Sequence, residues 1–175
     1  MKILNGAKIL MVTEDRVLLG DIGLQEGKIV ALEEAIEARE GDEVLDCQGL
    51  YAMPGIVDAH CHLGMWEDSL EFEGADGNEC TDPVTPQMRG IDGVNPFDRC
   101  FKEAAEAGVT TVMTGPGSAN AIGGPFAVMQ TVGRQVEKMV LREPAAMKIA
   151  FGETPKKLYG MKDKATMTRI ATAAQ

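Results

Sequence analysis

The stretch from Met53 to Gly64, MPGIVDAHCHLG, constrains this chain more than any other. Pro54-Gly55 interrupts regular structure before it and Gly64 closes it, which leaves a segment of strand length between them. Successive side chains of a strand alternate. Ile56, Asp58, His60 and His62 therefore share one face, and Val57, Ala59, Cys61 and Leu63 share the other. The second set is apolar and is expected to pack beneath helices. The first set ends in two imidazoles two residues apart, about 6.6 Å at the Cα atoms for a rise of about 3.3 Å per residue. Both rings can lean onto one ion at about 2.0–2.1 Å. Asp58, one step back on that face, can steady a ring by hydrogen bonding. These are the only two histidines in 175 residues. Spacing alone is a weak metal signal and more often means two imidazoles bonded to backbone groups on a half-buried strand.

A chain of this length builds one sizeable core, or a small domain and part of a larger one. Its 45% apolar and 25% charged residues are ordinary for a globular protein. The net charge of −10 argues against nucleic-acid phosphate as a partner. The acid is spread along the chain and reads as solubilising surface. The four cysteines, Cys47, Cys61, Cys80 and Cys100, form no C-x-x-C and suggest no disulfide framework. The N-terminal MKILNGAKILMV is interrupted by Lys2, Asn5 and Lys8, and has neither a clean apolar core nor a small-residue cleavage site. No apolar run approaches the roughly 20 residues that span a bilayer. The expectation is a cytoplasmic protein with no membrane partner.

Residues 1–52 read as short strands: Lys2–Val12, Arg16–Leu19 and Asp21–Gln25 around Gly20, a tight turn at Glu26-Gly27, then Lys28–Leu32, Val44–Cys47 and Leu50–Met53. Residues 65–94 are long, acidic and irregular, and a loop of that length is commonly functional or disordered, with a plain surface excursion as the competing reading. Trp66 and Phe72 within it are candidate pocket walls. Asn95-Pro96-Phe97-Asp98 predicts a helix start, with Asn95 as cap and Pro96 in the first turn, and Gly108 predicts its end. Val109–Thr114 then reads as a strand. Strand, helix and strand make a βαβ unit and imply parallel pairing. The Gly-rich run Gly115–Pro125 lacks the ending of a phosphate-binding loop and more plausibly shapes a pocket through Gly115, Gly117 and Ser118. Phe126–Val132 is a strand of the main sheet or of a side hairpin, and Val136–Leu141 a short helix or edge element. Ala145–Phe151 is a further strand, with Lys148 among alanines on one face. A lysine facing inward is costly unless its charge is paired or removed. Thr154-Pro155 predicts a short helix ending at Gly160, and 162–175 a terminal helix.

The motif PGIVDAHCH resembles the first-strand signature P-G-x-x-D-x-H-x-H of the metal-dependent amidohydrolase superfamily, near the imidazolonepropionase and cyclic-amide hydrolase branch. AGVTTV, the Gly-rich loop and KIAFGE come after it in the order of that family. The resemblance implies an α/β chain: part of a small β-sandwich over 1–52, then roughly the first half of a TIM-like (β/α)8 barrel over 53–175. It implies a divalent metal, zinc by preference, with His60 and His62 as ligands and Asp58 as their support. Lys148, carboxylated by carbon dioxide, or alternatively Glu153, would be a further ligand. The implied reaction is hydrolysis of a C–N bond in a small cyclic or linear amide.

A TIM barrel takes about 250 residues, roughly twice the length of the 53–175 segment. The family's later histidines and its aspartate have no counterpart in the sequence. The resemblance therefore implies an N-terminal fragment that is inactive by itself, holds zinc weakly and covers its open edges by homo-oligomerisation. The competing reading is a non-catalytic scaffold or assembly module.

Overall fold

The structure is a computed structural model that describes residues 1–67, 70–162, 168, 171 and 174. It divides into two compact units, Met1–Pro54 and Gly55–Gln175. Among the described residues, no helix is long and apolar enough to cross a membrane.

The first unit is a single sheet. Its strands are β1 (Lys2–Met11), β2 (Arg16–Gln25), β3 (Lys28–Glu33), β4 (Glu43–Asp46) and β5 (Tyr51–Ala52). The order is β3-β2-β1-β4, with β5 also pairing β1. β1–β2 and β2–β3 are antiparallel, whereas β4 and β5 run parallel to β1. The turn between β2 and β3 has positive φ at both Glu26 (52°) and Gly27 (74°), the twist that suits a two-residue hairpin. β2 continues through Gly20, where the sequence suggests a break. A Cβ there would lie 2.2 Å from the Glu33 carbonyl oxygen, so the glycine serves close approach of backbones rather than a turn. Ala7, Ile9 and Ile22 are buried, with Leu4, Leu18, Leu24 and Cys47 against them.

The second unit contains β6 (Ile56–Cys61), a 3-10 turn (Gly90–Gly93), α1 (Arg99–Glu106), β7 (Val109–Thr114), β8 (Ile122–Gln130), α2 (Val136–Met139), β9 (Val140–Ile149) and α3 (Glu153–Gly160). Its sheet has the order β6-β7-β8-β9. β6 and β7 are parallel across α1, as a βαβ unit requires, but β7–β8 and β8–β9 are antiparallel. The sheet is therefore mixed, and the parallel register expected of a half-barrel extends only through β6–α1–β7. The physical reason lies in the connections. The β7–β8 link and the short α2 reverse the chain without a crossover helix, which antiparallel strands permit and parallel ones do not.

Several boundaries shift. α1 is capped by Asp98, whose Oδ1 accepts from the Cys100 N–H at 3.0 Å, not by Asn95. Asn95 instead accepts the Phe97 N–H at 2.9 Å and folds the chain into a turn ahead of the helix. Gly108, at φ 86°, comes directly after the cap residue Ala107 as expected. β8 begins inside the Gly-rich run and β9 begins before Pro144. β9 lies at the sheet edge, where a strand tolerates proline. α3 starts from Gly152, so Thr154-Pro155 lie in its first turn. The helix expected over 162–175 falls almost wholly outside the described residues. The core is formed by Met65, Val94, Phe101, Val112, Met129 and Met139, joined at its margin by Cys61 and Leu63. Val57, on the same face of β6, is exposed, so that face is covered only at its C-terminal end.

Candidate functional site

His60 is near the C-terminal end of β6 and His62 lies just past it, and alternation sends both to one side. Their ring centroids are 5.2 Å apart and nearly perpendicular. His62 Nδ1 lies 2.7 Å from the Gly115 carbonyl at the end of β7. A carbonyl oxygen only accepts, so Nδ1 carries a proton, and Nε2 is the nitrogen left to face a ligand. Imidazole ligands are commonly oriented in this way, through the nitrogen that does not bind. The edge of Trp66 meets the same ring, with centroids 5.2 Å apart.

Lys148 reaches the pair from β9. Its Nζ is 3.4 Å from His60 Nε2 and 5.8 Å from the centroid of the Phe126 ring. Phe126, only 3% exposed, floors the group and lies 5.4 Å from His60 and 6.3 Å from His62 by ring centroids. Sequence reasoning missed Phe126. Its place depends on pairing with Ala146 across β8–β9, and nothing in the sequence specifies that register. Gly115 belongs to the same packing, because a Cβ on it would sit 2.4 Å from that ring.

Other candidates lie apart from this group. The Asp58 carboxylate accepts the backbone N–H of His60 at 3.1 Å rather than an imidazole hydrogen. Glu153 is exposed at the start of α3, with an oxygen 3.9 Å from Lys156 Nζ. Ser118 is exposed on the β7–β8 loop. Cys61, half-buried beside the motif, has its thiol pushed up by burial, with the Asp58 charge adding to the effect.

As a donor set, two imidazoles with an amine beside them fit part of a divalent-ion site. Among the described residues, no group of three or more His, Cys, Asp or Glu side chains is placed to hold an ion.

The long excursion between β6 and α1 is sewn to the β7–β8 loop next to this group. Thr85 N–H donates to Ile122 O at 2.8 Å, Gly117 N–H to Gly77 O at 2.7 Å, and Ala119 N–H to Asn78 Oδ1 at 3.1 Å. Asn120, 1% exposed, donates to Asp82 O, Thr85 Oγ1 and the Tyr159 hydroxyl. Tyr159 is fully buried, and burial pushes its hydroxyl up to about 12. Between the two loops lies a cavity of about 690 Å3 whose wall includes Trp66 and Pro116, but not Gly115, Gly117 or Ser118.

No protein-family model matches the chain. A solved amidohydrolase from Thermotoga maritima MSB8 superposes on 99% of it, with a TM-score of 0.92 and 39% identity. The chain belongs to the amidohydrolase superfamily. The amidohydrolase tasK of Hapsidospora irregularis is 33% identical over 166 residues, 87% of this chain. An allantoinase of Salmonella choleraesuis is 43% identical over 61 residues, 35% of this chain. This amidohydrolase chain spans 45% of the length of the solved relative, 17% of tasK and 13% of the allantoinase.

Proposed function

We propose that this amidohydrolase chain contributes the first ligands of a site that hydrolyses a C–N bond in a small cyclic or linear amide. The observation that carries the reading is the convergence of His60, His62 and Lys148 on one face, with Lys148 Nζ 3.4 Å from His60 Nε2. His60 and His62 would hold the ion, zinc by preference, each through Nε2. Lys148, beside His60, is a nearer third donor than Glu153, whose carboxylate is engaged with Lys156. Carboxylation of Nζ by carbon dioxide would turn Lys148 from a cation into an oxygen ligand.

A bound ion supplies Lewis-acid activation of water and of the amide carbonyl near neutral pH. The chain's own residues orient and enclose. Gly115 O holds the proton on His62 Nδ1, which fixes the nitrogen presented to the ion. Phe126 places apolar surface against both rings, and Trp66 against that of His62. The half-barrel architecture belongs to the same proposal. So does a cytoplasmic setting.

Zinc titration by calorimetry tests this. Two imidazoles are expected to bind weakly, and His60→Ala and His62→Ala to weaken binding further, by about tenfold or more each. Equal binding by wild type and both variants would place the metal elsewhere and leave the scaffold reading standing. Purified zinc-loaded chain is expected to show no useful turnover of a cyclic amide, because two histidine ligands do not complete a catalytic zinc site. Turnover abolished by His60→Ala would show that the chain suffices by itself.

A further inference from the structure

The cavity beside His62 has a volume in the range of small-molecule sites, roughly 300–1,000 Å3. Trp66 is the wall it shares with His62. Its ionisable lining residues include Glu73, Asp76, Glu79 and Arg89. Arg89 is already committed. Its Nη2 is 2.6 Å from one Asp92 oxygen, its Nε 3.0 Å from the other, and its Nη1 3.5 Å from Glu143. A guanidinium in a forked pair of this kind has little left to offer an incoming anion. Glu79 is held by the N–H and hydroxyl of Thr81, both at 2.7 Å, and these bonds keep its carboxyl below the usual range. The wall therefore combines an indole with three carboxylates, and the one cation among the lining residues is neutralised.

We propose that this cavity selects substrates whose non-reacting end carries a positive charge on an amine, amidine or guanidine, seated against Trp66 and the carboxylates of Glu73, Asp76 and Glu79. The word substrate rests on the hydrolase reading; the binding preference does not. Two forces act in the same direction. An organic cation is attracted to an indole face, and a recess lined by one sign of charge concentrates the opposite sign. A carboxylate-bearing molecule of the same shape meets repulsion from all three acids.

Trp66 is the only tryptophan in the chain, so its fluorescence reports this wall directly. Benzamidine, benzamide and benzoate have nearly the same shape, with charges of about +1, 0 and −1 at neutral pH, and serve as probes. Benzamidine is expected to change the emission saturably, with a dissociation constant about three- to tenfold below that of benzamide, and benzoate to bind most weakly. Asp76→Asn with Glu79→Gln should bring benzamidine and benzamide to within about twofold of each other. If that pair does not fold, Glu73→Gln with Asp76→Asn is the substitute, since both residues are exposed. Benzamide or benzoate binding as tightly as benzamidine would overturn the proposal, as would a preference that survives neutralisation of the acids. The His60→Ala variant separates the two readings: it should lose zinc yet keep the preference for benzamidine.

Discussion

Gly124 shows how closely individual residues determine the site. A Cβ at this position would lie 1.5 Å from the Met88 carbonyl oxygen, and the opposing atom is backbone with no rotamer to yield. Gly124→Ala is expected to push the 88–90 segment away from β8 and cost about 1–3 kcal/mol, the range for overpacking. Chemical denaturation at neutral pH measures this, and a loss below a few tenths would mean that the segment gives way freely. The same residue explains a limit on sequence reading. The Gly-rich run is visible in the sequence as a loop, but that its glycines admit Met88 O, Asn78 and the Phe126 ring requires knowing what lies opposite. His60, His62 and Lys148 were legible, the first two because strand periodicity is local, the third because a lysine among alanines is conspicuous. Phe126 was not, because it enters through strand register.

Among the elements, the bulged part of β1 depends on one buried carboxylate. Asp21 on β2 is 2% exposed and accepts hydrogen bonds from Asn5 Nδ2, the Gly6 N–H at 2.8 Å and the Ile36 N–H at 2.8 Å. The bond from Ile36 is the largest influence holding this carboxyl below its usual range, and burial opposes it. A depressed folded value means that the unfolded chain takes up the proton first. The stabilisation is therefore full above the unfolded value, about 3.9, and is lost as pH falls through the folded one. Asp21→Asn should cost about 1–3 kcal/mol at pH 7 by leaving buried donors poorly matched, and should flatten the acid dependence. An unchanged slope of stability against pH below 4 would assign that dependence to other groups. β1, β3, β6 and β7 are readable from alternation and turn residues, whereas β2 is split in the sequence by Gly20, which the strand runs through. The start of β9 was hidden by Pro144, and the start of α1 by a more favourable-looking cap at Asn95 three residues upstream.

At the scale of the molecule, among the described residues the sheet of the second unit ends in two strands with one unpaired side each, β6 and β9, with Ile56, Val57, Leu141 and Ile149 exposed along them. Unpaired edges with apolar side chains favour association. We expect a dimer in sedimentation at low micromolar concentration that separates only on unfolding. A monodisperse monomer with cooperative unfolding would mean that the edges are tolerated in water. The stitched loops have a further consequence, in time rather than space. From residue 74 to 85 the chain has almost no regular structure, yet the amides of Asp76 and Thr85 are bonded to Met65 and Ile122 carbonyls, and the partner strand's Ile122 amide to Pro83. Deuterium should therefore enter these amides about as slowly as it enters the sheet. A stretch that looks like surface coil would then open only when β8 does, and the cavity beside it would keep its shape between encounters with ligand.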